Sequence, residues 1–185
     1  MGRVLGLLGV LATCTPAWAA DWPETLERIL KVFPDAQFLN IYRDGCDVIH
    51  SHLSGGFMNS LEEATKRWYH VVRQTQNFVA RHPERCHKVQ YEQLVSNPND
   101  VVPGVCEFLG VDFEPQMTSS EKSATQLGDV PEWYWHKQVS APINAKNPGK
   151  GRANFTASEL DFIQSIIGPE LAKLGYAPAN AKSES

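Results

Sequence analysis

Positive charge is not in excess in this chain. Lys and Arg number 17 against 21 Asp and Glu, a net charge of −4, with a pI near 5.9. Proteins that grip nucleic acid by bulk charge carry a basic surplus, so no nucleic-acid partner is expected, and any anion must be held by a few placed groups. Cysteine is scarce, four residues with no CxxC pair, which argues against a disulfide scaffold and against a zinc site. A Walker A loop, GxxxxGK[ST], is absent, so phosphate is not cradled by that motif. No apolar run has the roughly 20 residues that a bilayer-spanning helix needs, so no stable membrane span is expected. What remains is a chain of 185 residues, 42% hydrophobic and 21% charged, with five Trp, five Tyr and eight Phe. That suits one globular domain with an aromatic-anchored core.

The N-terminus admits two readings. Residues 1–20, MGRVLGLLGVLATCTPAWAA, have a basic Arg3, an apolar run from Val4 to Ala12 and an Ala17-Trp18-Ala19 ending. This is the pattern of a cleavable secretory signal. The alternatives are that the Leu/Val-rich run is a buried strand or helix, or that the start is misplaced. Removal of these residues would leave Cys46, Cys86 and Cys106, an odd number that sits poorly with an oxidising compartment.

Beyond residue 20 helix and strand alternate. Leu26, Ile29, Leu30 and Phe33 form one helical stripe, with Asp21 as its cap and Pro34-Asp35 as its stop. Gln37–Tyr42 is a short, largely apolar strand of the kind found in parallel sheets. A helix through Val48 and Ile49 follows, closed by Gly55-Gly56. Ser60–Arg81 is the longest periodic stretch, and Ser60 with Glu63 forms a capping box. His87–Tyr91 reads as a second strand and Val101–Leu109 as a helix ended by Gly110. Residues 111–153 lack a sustained period and read as a surface excursion. A closing helix runs from a Thr156/Glu159 box to Gly175. The expectation is an α/β fold with a parallel sheet flanked by helices, a domain over residues 21–176, and a disordered tail over 177–185.

Ligands of such sheets bind beyond the carboxyl ends of the strands. Arg43 sits there, ahead of a helix, where its fork and the helix N-terminus suit a phosphate dianion. The competing reading pairs Arg43 with Asp47 and leaves Ser51 merely exposed. Ser51 lies eight residues on, so sharing one ligand requires Asp44-Gly45-Cys46 to be loop and the helix to start near Asp47. A second anionic candidate is NPGKGR, residues 147–152. From Trp133 to Ser158 there is no acidic residue, while Lys137, Lys146, Lys150 and Arg152 are present. Glycines on both sides of Lys150 let the backbone approach a ligand, although a solvated basic loop explains the pattern as well. His50 and His52 are two apart and point to different helix faces, so no metal is expected. Cys46, beside Arg43, reads as a small packed residue. Trp133-Tyr134-Trp135 suits either an acceptor wall or a clasp on the excursion. Asn154-Phe155-Thr156 is an N-glycosylation sequon, expected to be unmodified beside the basic loop.

Three blocks together resemble PAPS-dependent sulfotransferases, where PAPS is 3′-phosphoadenylyl sulfate. FPDAQFLNIYRDGCDVIHS resembles the family's 3′-phosphate strand–loop–helix, VQYEQLVSNPNDVVPGVCEFLGV its Tyr-Glu-Asp-Leu segment, and GKGRANFTASELDFIQSIIGPELAKLGY its basic Gly loop and closing helix. The last block is closest to the bacterial and Golgi-like branch. The resemblance implies a P-loop-NTPase-like fold and PAPS as sulfuryl donor. It implies that Arg43 and Ser51 bind the 3′-phosphate, that Lys150, Gly151 and Arg152 close over it, and that Tyr91 lies near the adenine. Tyr91 as the last core residue of its strand remains the alternative. The implied reaction is in-line sulfuryl transfer to a hydroxyl or amine of a small-molecule, glycan or peptide acceptor. The oligomeric state is not legible.

One departure from the family pattern accompanies the resemblance. The family's 5′-phosphosulfate loop, its His or Glu base and its Lys near the sulfate lie N-terminal to the Arg-Asp motif. None of the 42 residues before Arg43 has the Pro/Ser/Gly/Thr-rich composition of that loop. The chain is therefore expected to correspond to the C-terminal two-thirds of a sulfotransferase, with the P-loop strand missing and no catalytic base assigned. The alternatives are an inactive remnant that binds adenosine 3′,5′-bisphosphate or a partner, and a small exported protein of unrelated function. A PAPS user belongs where PAPS is made or imported. That favours the cytoplasm, with the Golgi lumen or export if residues 1–20 are a working signal.

Overall fold

The computed structural model describes residues 8–11, 22–118 and 149–181. Four residues of the apolar N-terminal run, Leu8–Leu11, form strand β1. They pair in parallel with β2 (Phe38–Tyr42), Leu8 opposite Phe38 and Leu11 opposite Ile41. Between the two strands runs α1 (Trp22–Val32), the helical crossover a parallel pair requires. The third strand, β3 (Cys86–Gln90), lies on the other side of β2, giving the sheet order β1-β2-β3.

Two clusters hold the first unit, residues 1–88 with 148–185. In one, Leu26 of α1, Phe38 of β2 and Phe78 of α3 (Leu61–Arg81) are buried together. Phe38 and Phe78 meet edge to face with centroids 5.1 Å apart, a geometry worth about 0.5–1.5 kcal/mol beyond burial. Ile29 and Leu30 pack on this cluster, whereas Phe33, the fourth member of the expected stripe, lies past the end of α1 and is 52% exposed. In β2 only Phe38 is fully buried, so the strand is less enclosed than its apolar sequence suggested.

The larger cluster gathers α2 (Gly45–Ser54), α3 and the closing helix around Cys46, Ile49, Trp68, Val72, Ile163 and Ile167. A four-residue turn of helix, α6 (Lys150–Ala153), lies on α2, and the closing helix α7 (Ala157–Lys173) follows it. Gly45 permits the close approach of α2 to its neighbours: a Cβ there would come within 2.6 Å of Ile167 Cδ1 and 3.1 Å of Trp68. Of the three expected N-caps, Asp21 lies outside the described residues, and Ser60 and Thr156 are present. Ser60 accepts from the Glu63 amide at 3.1 Å, although Glu63 returns its bond to the Asn59 amide rather than to Ser60. At α7 the Thr156/Glu159 box is complete.

Residues 177–181 depart from the disorder expected of them. Ala179 is fully buried in the main cluster. Its amide donates to Gln164 Oε1 at 2.6 Å, and Asn180 Nδ2 donates to Asp161 Oδ1 at 2.8 Å. A short polar tail lacks periodicity, but it can still be ordered by bonds to a helix already in place.

The second unit covers residues 89–147. Its described part contains α4 (Tyr91–Ser96), packed against α5 (Pro98–Leu109). Gly110, at φ 69°, ends α5 in the left-handed conformation that glycine adopts without strain. Trp133-Tyr134-Trp135 and Lys137 and Lys146 lie outside the described residues. No helix among the described residues is long and apolar enough to cross a membrane.

Candidate functional site at the start of α2

The sequence places two acids, Asp44 and Asp47, at the start of α2, directly after Arg43. Acids are favourable at a helix N-terminus, where unpaired amides and the dipole attract negative charge. Asp44 is the N-cap, and its Oδ1 accepts from the Cys46 amide at 2.8 Å. Because the helix begins at Gly45, Asp44-Gly45-Cys46 is not the loop that convergence of Arg43 and Ser51 had required. The side chain of Arg43 reaches along the helix instead, its Nη2 3.4 Å from Asp47 Oδ2. Asp47 and Ser51, four residues apart, share one helical face, so the arginine head lies at the foot of the stripe that carries the half-buried Ser51.

Asp47 does more than pair with Arg43. It is 2% exposed, and its oxygens accept from the amides of Gly149 at 2.9 Å and Gly151 at 2.6 Å. Those bonds are shorter than the Arg43 contact, so the carboxylate's main role is to fasten the 149–152 turn to α2. Gly151 must be glycine for the same reason. A Cβ there would lie 2.5 Å from the Cys46 carbonyl carbon and 2.6 Å from Asp47 Cα, both rigid backbone.

Two residues of this loop make their hydrogen bonds within the protein. Gly151 turns its amide inward to Asp47 rather than outward to a ligand. Arg152 is engaged within the protein: Nη2 donates to Asp44 Oδ2 at 2.7 Å and to the Ala177 carbonyl at 2.8 Å, and Nη1 donates to the Pro178 carbonyl. Burial alone would lower its pKa, but the hydrogen bond and charge of Asp44 outweigh that and hold it above its ordinary value. Lys150, between the glycines, is exposed. Arg43, Lys150 and Arg152 against Asp44 and Asp47 leave one net positive charge (three minus two).

Tyr91, half-buried, is the first residue of α4 rather than the last of β3, and belongs to the second unit. Cys46 is fully buried, and its thiol is pushed up to about 12, first by burial and then by the charge of Asp44, as suits a packed residue rather than a nucleophile. Cys46, Cys86 and Cys106 are free thiols. Among the described residues no three His, Cys, Asp or Glu side chains gather as metal ligands would. Asn154 is exposed, and its Nδ2 donates to the Lys150 carbonyl at 2.7 Å.

Sequence reasoning singled out Arg43, Ser51 and the loop but missed that Asp47 and Asp44 anchor it. The spacing of Asp47 four residues after Arg43 was legible; partners more than a hundred residues away were not.

The fold is that of sulfotransferases. It superposes on a structure titled Sulfotransferase Domain from the Curacin Biosynthetic Pathway with a TM-score of 0.66, at 23% identity, over 86% of this chain and 60% of that one. A second, from the Synechococcus PCC 7002 olefin synthase, gives 0.65 at 22% identity over 82% and 56% of the two chains. Residues 21–115, just over half of the sequence, match the model of the sulfotransferase family, and the chain belongs to that family. Its relatives include protein-tyrosine sulfotransferase 1 of Danio rerio, 26% identical over 164 residues, and the protein-tyrosine sulfotransferase of Drosophila melanogaster, 27% identical over 163. These alignments cover 84% and 81% of this chain but 46% and 32% of the relatives, so the chain spans half their length or less.

Proposed function

We propose that this protein takes part in sulfuryl transfer from PAPS and that the start of α2 holds the nucleotide's 3′-phosphate. The observation that carries this is the placement of Arg43. A half-buried guanidinium follows β2 directly and lies along the α2 face that carries Ser51, its contact with Asp47 a long one at 3.4 Å. A forked cation and a hydroxyl on one face match a phosphate dianion in charge and hydrogen-bonding capacity. Lys150, exposed on the 149–152 turn, adds a point charge. Arg152 and the Gly151 amide are assigned no ligand contact.

When bound, PAPS supplies an electrophilic sulfur. In such a transfer an acceptor oxygen or nitrogen would bond to that sulfur as its bond to the bridging 5′-phosphate oxygen breaks, adenosine 3′,5′-bisphosphate would leave, and the acceptor's proton would pass to water. Such transfers depend on positioning and on charge stabilisation of the leaving oxygen. Arg43 and Ser51 provide positioning by holding the far end of the leaving nucleotide, and no residue is assigned to proton transfer. The named relatives are protein-tyrosine sulfotransferases, which supports a protein or peptide acceptor within the broader hydroxyl or amine class.

Titration with adenosine 3′,5′-bisphosphate, set against adenosine 5′-monophosphate, tests the reading. The 3′-phosphorylated nucleotide is expected to bind more tightly, and Arg43→Ala to erase that preference with a loss of about tenfold or more, the size of one charge-assisted contact. Equal binding of the two nucleotides, or an unchanged preference in Arg43→Ala, would overturn it. A transfer assay with PAPS and tyrosine peptides then tests the acceptor class.

A further inference from the structure

The nucleotide reading leaves the bonds of Arg152 unexplained. The guanidinium joins three stretches of chain: its own turn, the Asp44 cap of α2, and the carbonyls of Ala177 and Pro178. On either side of those carbonyls the C-terminal segment is pinned again. Tyr176 OH donates to the Tyr42 carbonyl at 3.4 Å, and the two tyrosine rings meet edge to face at 6.1 Å. Ala179 is buried with its amide on Gln164, and Asn180 bonds Asp161. Residues 176–180 thus form a strap that runs from the end of β2 to α7, with Arg152 tying its middle to the residue that caps α2.

A cation so placed is poorly suited to take up a phosphate. Asp44 balances its charge, and two carbonyls occupy donors that a ligand would need. It is well suited to setting where α2 begins. Asp44 accepts from both Cys46 N and Arg152 Nη2, so the cap's orientation depends on the strap, and Arg43 is the residue immediately before the cap. We propose that Arg152 is a positioning residue of the nucleotide site: by strapping residues 176–180 onto Asp44 it fixes the β2–α2 junction that presents Arg43, without touching the ligand. This rests on the reading of that junction as the 3′-phosphate site.

The test uses the full chain with adenosine 3′,5′-bisphosphate as probe, alongside amide exchange at Ala179. Lysine can keep the charge but cannot fork across a carboxylate and two carbonyls, so Arg152→Lys and Arg152→Gln are both expected to weaken binding about tenfold and to speed exchange at Ala179. Ala179→Glu, which displaces the strap and leaves Arg152 in place, is expected to weaken binding similarly. Gln164→Ala, which removes the acceptor of the Ala179 amide, is the milder variant should Ala179→Glu melt out. Wild-type-like binding by Arg152→Lys with loss in Arg152→Gln would overturn the proposal, since the charge alone would then serve the ligand. Unchanged affinity in a folded strap variant whose Ala179 amide exchanges faster would overturn it too. Failure of the wild-type chain to bind the probe sinks the nucleotide reading and the role at the site with it. Exchange at Ala179 reports separately on whether Arg152 holds the strap.

Discussion

Two helix N-termini in this chain are capped in opposite ways. At α7 the cap is self-contained: Thr156 and Glu159 bond each other's backbone across three residues at an exposed surface. At α2 the cap is buried and shared. Asp44 holds its own helix through Cys46 N and also holds Arg152, 108 positions along the chain, while Asp47, one turn in, gathers the amides of Gly149 and Gly151. A local cap stabilises a helix and nothing else. A cap that recruits distant segments fixes a loop and a strap around one helix end.

The comparison can be broken most severely at Gly151. Gly151→Ala drives a methyl into the backbone of Cys46 and Asp47 and is expected to cost about 3 kcal/mol, the upper range for overpacking, read as a lowered denaturant midpoint. Asp47→Ala leaves two amides without their acceptor and is expected to cost about 2 kcal/mol, with faster exchange at Gly149 and Gly151. Thr156→Ala, at the local cap, is expected to cost about 1 kcal/mol and to leave exchange at those two glycines unchanged. A response of Gly149 and Gly151 to Thr156→Ala would show that the two caps are not separate.

The smallest effect concerns pH. The bond from the Thr156 amide, and then that from its hydroxyl, hold the Glu159 carboxyl below its ordinary value of 4.5. A depressed acid contributes stability that is complete above the unfolded pKa and is lost as pH falls through the lower folded value. The melting difference between wild type and Glu159→Gln is therefore expected at neutral pH, should begin to shrink as the pH drops below 4.5, and should vanish once the pH has passed below the lower folded value; a constant difference would show that the carboxylate charge does not matter to the cap.

Much of the frame was legible in the sequence because it is encoded locally. The Thr156/Glu159 box, the Ser60 cap, Gly110 at the end of α5 and the strand 38–42 all follow from residues within a few positions of each other. Tyr91 was misread because a strand's last residue and a helix's first differ only in the hydrogen bonds they make. Phe33 was misread because periodicity continues past the point where the helix stops.

By itself the sequence determined the long helices and the strand that ends just before Arg43. Only the tertiary structure decided that Asp47 holds the glycine turn, that Arg152 faces inward to a C-terminal strap, and that residues 177–181 are ordered at all. The reason is range. Propensity and capping act over a few residues, whereas the partner of a buried carboxylate or guanidinium is set by which distant segments the packed core brings within hydrogen-bonding reach.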